Sequence, residues 1–308
     1  MNKESVAVCV VTYNSSETVL ETLDSILQQS YGSENIELII ADDASTDNTV
    51  EVIENWLSDF QHWFYCVQFI RHKKNGGLPK NTNAAWKASH SEWVKILAGD
   101  DLLAEHGIDD YVRFKNDHPQ AQFIFGRMET FSKDKYQVKP VSGRSWTEFF
   151  TLGKDDQYQY MLTKSFNIAP VSFLNRNALE KVGYCDERYR LCEDIPLWLK
   201  LLKQGDSQFY CLNKVTVKYR VGDSISNQTT QFVNLNFKKE IEQIYSDYVY
   251  PNLTLKNKWL VVDRKLELMS LYIIYYMCKN KPCSLSSVVY NAFALLRPRY
   301  YLSKLGML

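Results

Sequence analysis

Net charge is the first thing this chain lacks: its 308 residues carry 36 Lys and Arg against 36 Asp and Glu. Such a balance gives no overall field to draw in a nucleic acid. There is no C-x-x-C pair, and the seven cysteines are scattered and odd in number. That argues against a disulfide framework or zinc site and for a reducing compartment. The five histidines stand apart from one another, which fits structural or solvated roles. No uncharged apolar run reaches the roughly 18 residues that a membrane span needs. Repeats and low-complexity segments are missing too. Met1–Ser5 holds an early acidic residue and no small-residue cleavage site, so a signal peptide is not expected. What is present is enough length for one large domain or two smaller ones. Twenty tyrosines and seven tryptophans suit a core, and also stacking on bases or sugar faces.

Hydrophobic patterning alternates between two periods. Val6–Tyr13, Ile36–Ala41, Val67–Arg71 and Trp93–Ala98 are short β-branched or apolar runs that read as buried strands. Between them lie helical stripes. Val19, Leu20, Leu23, Ile26 and Leu27 form one, with Asn14-Ser15-Ser16 as N-cap candidates. Val50, Ile53, Trp56, Leu57 and Phe60 form another, with Asp47 as its cap. Ala84, Ala85 and Ala88 form a close-packing third over Lys80–Ser89. Strand and helix in alternation predict an α/β domain with a mostly parallel wound sheet. Beyond Asp101 the pattern loosens. Helix is expected over Ile108–Asn116 and Asn177–Val182, and strand over Phe123–Gly126 and Val215–Val221. Residues 127–166 read as a long excursion over the sheet edge. From about Phe232 onward the chain reads as all helix.

Three acidic pairs stand out: Asp42-Asp43, Asp100-Asp101 and Glu193-Asp194. The first two close predicted parallel strands, whose carboxyl ends share one sheet edge, the edge at which open α/β sheets bind ligands. Adjacent carboxylates are unfavourable without a positive partner. A hard divalent cation sharing a phosphate is the usual one. A solvated turn is the plain alternative for Gly99-Asp100-Asp101, and helix capping is the plain alternative for Asp47, Glu193 and Asp194.

Taken in order, Val10-Val11-Thr12-Tyr13-Asn14, Asp42-Asp43-Ala44-Ser45-Thr46-Asp47, Asn75-Gly76-Gly77 with Asn81, Asp100-Asp101 and Glu193-Asp194 resemble the family-2 glycosyltransferases of the GT-A fold, over roughly residues 5–222. The resemblance implies an inverting transferase that uses a nucleotide-diphosphate sugar, with a UDP-sugar favoured. Thr12, Tyr13, Asn14, Asp42 and Asp43 would hold base and ribose. Asp100 would face the ribose and Asp101 would hold Mg²⁺ or Mn²⁺ on the diphosphate. Asp194 would be the catalytic base, with Glu193 assisting. Where the family carries an arginine before the asparagine, this chain has Lys80-Asn81, a point charge without the planar fork. Tyr219-Arg220-Val221 also matches a pattern near the donor phosphates, which makes Arg220 a site candidate. The expected domains are 1–222, split into a nucleotide-sugar half (1–101) and an acceptor half (102–222), and a helical extension (223–308). The expected acceptor is a glycan or lipid-linked glycan in bacterial surface polysaccharide assembly (O-antigen or capsule), and the expected location is cytoplasmic. Nucleotidyltransfer and non-catalytic sugar binding are the competing classes. The first wants a glycine-rich basic loop after the first strand, where Thr12–Ser16 stands instead.

The last third lies outside the resemblance. Leu266, Met269, Ile273, Tyr276 and Met277 share a helical face. Leu268–Cys278 and Ser284–Leu296 carry no charge, and Arg297-Pro298-Arg299-Tyr300-Tyr301 follows. Aromatic and basic residues bordering an apolar helix suit a bilayer surface, as a peripheral contact. Packing on the enzyme's own core or on a second subunit as a homodimer fits the same pattern.

Overall fold

The computed structural model describes residues 3–132, 135–140, 144–164, 168–222 and 231–305. The chain divides into two compact units, Met1–Met161 with Ser165–Val221, and Leu162–Lys164 with Gly222–Leu308.

The first unit is built on one sheet. Its strands among the described residues are β1 (Val6–Thr12), β2 (Ile36–Asp42), β3 (Cys66–Arg71), β4 (Trp93–Ala98), β5 (Leu102–Leu103), β6 (Phe123–Ser132), β7 (Lys135–Pro140), β8 (Ser172–Asn175) and β9 (Phe209–Arg220). They run in the order β3-β2-β1-β4-β8-β6-β9-β5, with β7 beside β6. β1 to β4 are mutually parallel; β8 enters antiparallel to β4. Every residue of β1 and β2 is buried. Side chains alternate between faces, so a strand buried at every position is covered on both, and only a near-continuous apolar run can fill it. Helices α1 (Val19–Leu27), α2 (Thr49–Phe60) and α3 (Leu78–Ala88) supply cover. α1 packs beside α2, and α3 packs on β1 and β2.

Two sequence expectations are corrected here. Asn14, Ser15 and Ser16 do not cap α1 with their side chains. The helix opens at Val19, and Asn14 instead bonds across to Ser45 and Thr46. Residues 127–166 are not an excursion either, although 133–134, 141–143 and 165–166 lie outside the described residues. β6 runs on to Ser132, β7 pairs with it, and α5 (Arg144–Thr151) and α6 (Lys154–Thr163) follow α4 (Gly107–Asp117). Phe149 is fully buried, and its ring meets Phe150, Tyr160 and Phe209. Phe125, Trp198 and Phe209 complete that aromatic core. Gln157, also buried, clamps the Phe209 backbone: its Nε2 donates to the carbonyl at 3.0 Å and its Oε1 accepts from the amide at 2.8 Å. A polar residue in a core position hides the helical stripe. α7 (Arg176–Lys181) and α8 (Asp194–Gln204) complete this unit's helices.

The second unit is helical, with α9 (Leu235–Ile244), α10 (Trp259–Cys278), α11 (Ser284–Ala294) and α12 (Pro298–Lys304). Asp263 is fully buried and accepts from the Arg297 guanidinium at 2.7 Å and the Arg299 amide at 2.9 Å. Glu267 meets Lys238, Arg264 and Arg297. The stripe Leu266, Met269, Ile273, Tyr276 and Met277 is not the buried face of α10. Burial falls on Leu260, Asp263, Glu267, Ser270, Leu271 and Ile274, so the stripe is not core. Among the described residues, no helix is long and apolar enough to cross a membrane.

Candidate active site

Parallel register brings the strand ends together. Thr12 pairs with Asp42, Asp42 with Arg71, and Val11 with Ala98. Both aspartate pairs therefore emerge at one edge, as the spacing predicts. Backbone strain gathers beside them: Asn14 and Ala44 adopt φ of 51° and 61°, a left-handed conformation uncommon for side-chain-bearing residues.

Asp42 and Asp43 are buried and already occupied. Asp42 accepts from the Ser45 amide (2.8 Å), the Ser45 hydroxyl (2.5 Å) and the Thr12 hydroxyl (2.9 Å). Asp43 accepts from the amides of Gly76 (2.7 Å) and Gly77 (2.8 Å), one on each oxygen. Charge-assisted bonds of this kind are worth about 1.5–3 kcal/mol each. Asn81 is buried as well, its Nδ2 donating to the Ala41 carbonyl at 2.8 Å. Thr12, Asp42, Asp43 and Asn81 thus shape the loops around the edge. Tyr13 (half exposed), Asn14 and Lys80 (both exposed) are members of the predicted donor-binding set that reach solvent freely.

The second pair is held differently. Asp101 is buried and accepts one bond, from the Arg220 amide at 2.9 Å. Burial, then the charge of Asp100, push its carboxyl up to about 8. Asp100 shows its outer side to solvent, yet surrounding protein still raises its carboxyl. Arg220 straps the pair down: Nε donates to the Asp100 carbonyl (2.7 Å), Nη2 to Glu21 (2.8 Å), and the guanidinium lies 4.5 Å over the Phe131 ring. Two of its three nitrogens are committed to protein, so Arg220 is foremost a strap for the carboxylate loop. Beneath lies Lys95, fully buried, donating to the carbonyls of Pro170 (2.6 Å) and Ile96. Burial lowers its ammonium to about 7, against the pull of Asp101.

Glu193 and Asp194 open α8. Glu193 occupies the N-cap position without capping through its side chain. Asp194 Oδ1 accepts from the Cys192 thiol (3.0 Å) and the Ile195 amide (2.7 Å), which leaves Oδ2 without a bonded partner among the described residues. Burial, then the charge of Asp194, lift Glu193 to about 8; burial raises Asp194 too, opposed by its two donors. Tyr219 precedes Arg220 in β9. Burial, then the charges of Asp101, Asp100 and Glu193, raise its phenol. The sequence reading passed over Tyr219 and Glu21. Their partners lie far away in the chain, and the only signal for Tyr219 was its place beside Arg220.

The segment leading to Glu193 is fixed against the loop that Asp43 holds. The Leu78 amide donates to the Arg190 carbonyl at 2.8 Å, and the Arg190 guanidinium donates to Asn75 Oδ1 at 2.9 Å. Gly77, at φ 94°, lies so close that a Cβ would stand 2.6 Å from the Arg190 carbonyl oxygen. Only glycine fits there.

Two aspartate pairs thus stand at one edge of a parallel sheet, the edge at which open α/β sheets bind ligands. Residues 7–183 match the description of glycosyl transferase family 2, and the chain belongs to that family. Similar proteins include an uncharacterized glycosyltransferase of Rickettsia typhi, 27% identical over 79% of this chain and 71% of its own length. The Escherichia coli UDP-Glc:alpha-D-GlcNAc-diphosphoundecaprenol beta-1,3-glucosyltransferase WfaP is 28% identical over 66% of this chain and 72% of its own length. Among solved structures, Staphylococcus aureus TarS 1–349 in complex with UDP-GlcNAc shares the fold at TM-score 0.62 and 18% identity, over 96% of this chain and 82% of that one. A mannosyltransferase from Pyrobaculum calidifontis in complex with GDP-Man and Mn2+ does so at TM-score 0.62 and 15% identity, over 100% and 84%. The chain is a glycosyltransferase with the GT-A fold.

Proposed function

We propose that this enzyme moves a sugar from a nucleoside-diphosphate donor, UDP-linked in the favoured case, to a hydroxyl of a glycan or lipid-linked glycan. The transfer inverts the anomeric carbon and serves bacterial surface polysaccharide assembly on the cytoplasmic side. The supporting observation is the 2.8 Å bond from the Leu78 amide to the Arg190 carbonyl, which fixes the segment leading to Glu193 and Asp194 against the loop that Asp43 holds. That contact holds the base-side segment beside the donor-side loop, as a single shared substrate requires. WfaP and TarS carry UDP-sugars in their names or complexes, which supports the donor choice.

In this reading residues 1–222 form the catalytic domain, with 1–101 taking the donor, 102–222 the acceptor, and 223–308 a helical extension. Tyr13 stacks on the base while Thr12, Asn14, Asp42, Asp43 and Asn81 hold the loops around it. Lys80 offers a point charge to the diphosphate. Asp100 faces the ribose. Among the described residues, no cluster of three His, Cys, Asp or Glu side chains could alone hold a metal. Two hard carboxylates crowded at a strand end nevertheless fit Mg²⁺ or Mn²⁺, which completes its shell with phosphate and water. Asp101 would hold it, and when bound it neutralises charge on the leaving diphosphate.

Asp194 is the base. The Cys192 thiol and Ile195 amide favour its ionised form against the burial that raises both it and Glu193. Asp194 Oδ2 takes the acceptor proton, and the freed oxygen attacks the anomeric carbon from the face opposite the nucleotide.

The test is incubation with a panel of UDP- and GDP-sugars and Mn²⁺, with and without undecaprenyl-linked glycans, while measuring free nucleoside diphosphate. Acceptor-stimulated release is expected. Tight donor binding with no release under any condition would reduce the protein to a sugar-nucleotide binder.

A further inference from the structure

The second unit has an inverted helix. α10 turns two carboxylates inward, Asp263 fully buried and Glu267 nearly so, where arginine and lysine neutralise them. Outward it presents Val262, Met269, Tyr276 and Met277, the last two 75% and 65% exposed. With Lys265 and Tyr272 this stripe follows three- and four-residue steps along about four turns. A groove of ≈ 450 Å³ lies on it, lined by Leu268, Met269, Tyr272 and Tyr276 among others. α11, packed along α10, adds exposed Leu285 and Val288; Leu295, Leu296 and Tyr301 follow. A soluble surface rarely leaves so much apolar area uncovered without a use.

Charge selects the occupant. Residues 222–308 carry eleven Lys and Arg against six Asp and Glu, and no acidic residue lies beyond Glu267. Lys265, Lys279, Lys281 and Lys304 are exposed. A second copy meeting this face across a two-fold axis would set the same surface against itself. The lysines would then find no free carboxylate on α10, because its two acidic residues, Asp263 and Glu267, are buried in ion pairs. An anionic bilayer answers both features: acyl chains accept the apolar stripe and headgroups accept the lysines. Tyrosine is at home at that boundary.

We propose that α10 to α12 dock on an anionic membrane surface, with Tyr276 and Met277 entering the headgroup–acyl boundary and the lysines lying among the headgroups. This inference does not depend on the reading of the active site.

The experiment is co-sedimentation of the full-length protein with vesicles of equal parts phosphatidylcholine and phosphatidylglycerol, or of phosphatidylcholine alone, at low and high salt, with sedimentation velocity run alongside. Binding is expected to the anionic vesicles only, and to weaken with salt. Tyr276→Glu combined with Met277→Glu should cut the partition at least tenfold. Lys279→Gln combined with Lys281→Gln should cut it roughly 30-fold, at about fivefold per basic residue. Unchanged melting temperatures would show that both variants fold. The proposal is overturned if the wild-type protein stays in the supernatant with anionic vesicles, or if both variants bind as it does. A dimer that Tyr276→Glu with Met277→Glu splits, in a protein that ignores vesicles, would assign the face to a second copy instead.

Discussion

Asp42-Asp43 and Asp100-Asp101 are the same dipeptide at the ends of the two parallel strands that flank β1, yet the protein treats them in opposite ways. The first pair is saturated: five donors from Thr12, Ser45, Gly76 and Gly77 point at its four oxygens. The second receives one side-chain bond, from the Arg220 amide, and is left electrostatically crowded above a buried lysine. Saturated carboxylates hold a fold. Crowded ones are retained at a cost in stability, which points to a task. Composition and spacing cannot tell the two apart, because the difference lies in which loops supply donors.

The comparison can be tested by substitution. The largest effect should come from the third pair, which shares the crowding of the second. Asp194→Asn keeps shape and the Ile195 bond but removes the proton acceptor. Turnover should fall by about 100- to 10,000-fold, with donor affinity and melting temperature near wild type. Glu193→Gln should lose less. If Asp194→Asn turns over normally while Glu193→Gln does not, the roles are reversed.

Lys95 comes next. Its folded-state ammonium titrates at about 7 against 10.5 for a free lysine. Between those values the unfolded chain binds more protons than the folded one, so stability rises with pH across this window. The rise is on the order of 5 kcal/mol at most. Denaturant titrations from pH 7 to 10 should show it, and Lys95→Met should flatten it. An equal slope in both proteins would mean that the ammonium is not destabilised by burial.

Asp43→Ala strips two buried amides of their acceptor and should destabilise the protein by about 2–4 kcal/mol, read as a drop in melting temperature. Asp101→Asn replaces a carboxyl in a crowded, buried place and should leave melting unchanged or raise it. A fall of equal size in both variants would erase the contrast between the pairs. The smallest effect is on binding. Asp101→Asn should weaken Mn²⁺-dependent affinity for a nucleoside diphosphate about tenfold, near 1.4 kcal/mol, while metal-free affinity barely moves. Calorimetry with and without Mn²⁺ reads this directly.

The β1–β4 half was legible because strands buried on both faces demand long β-branched runs, and Val6–Thr12 and Ile36–Asp42 supply them. The strand-end aspartates were legible as positions but not as roles. The donors to Asp43 lie 33 and 34 residues away, in a loop whose shape only the fold creates. Residues 127–166 were misread for another reason: buried Gln157 and a β6 edge shared between several partners break the periodicity that sequence reading depends on. On α10 the hydrophobic stripe was seen, but it is the face turned away from the core.

The contact between Arg190 and Asn75 joins points 115 residues apart, and that distance bears on how the protein can change. Closing a loop of this length is already entropically expensive, but each further doubling adds only about 0.6 kcal/mol. The intervening chain, which includes β6, β7, α5 and α6, can therefore gain or lose tens of residues with little penalty at the latch. Gly77 has no such latitude. The fold lets the chain between residues 75 and 190 diversify by insertion while a single glycine keeps the segment before Glu193 in register with the loop that Asp43 holds.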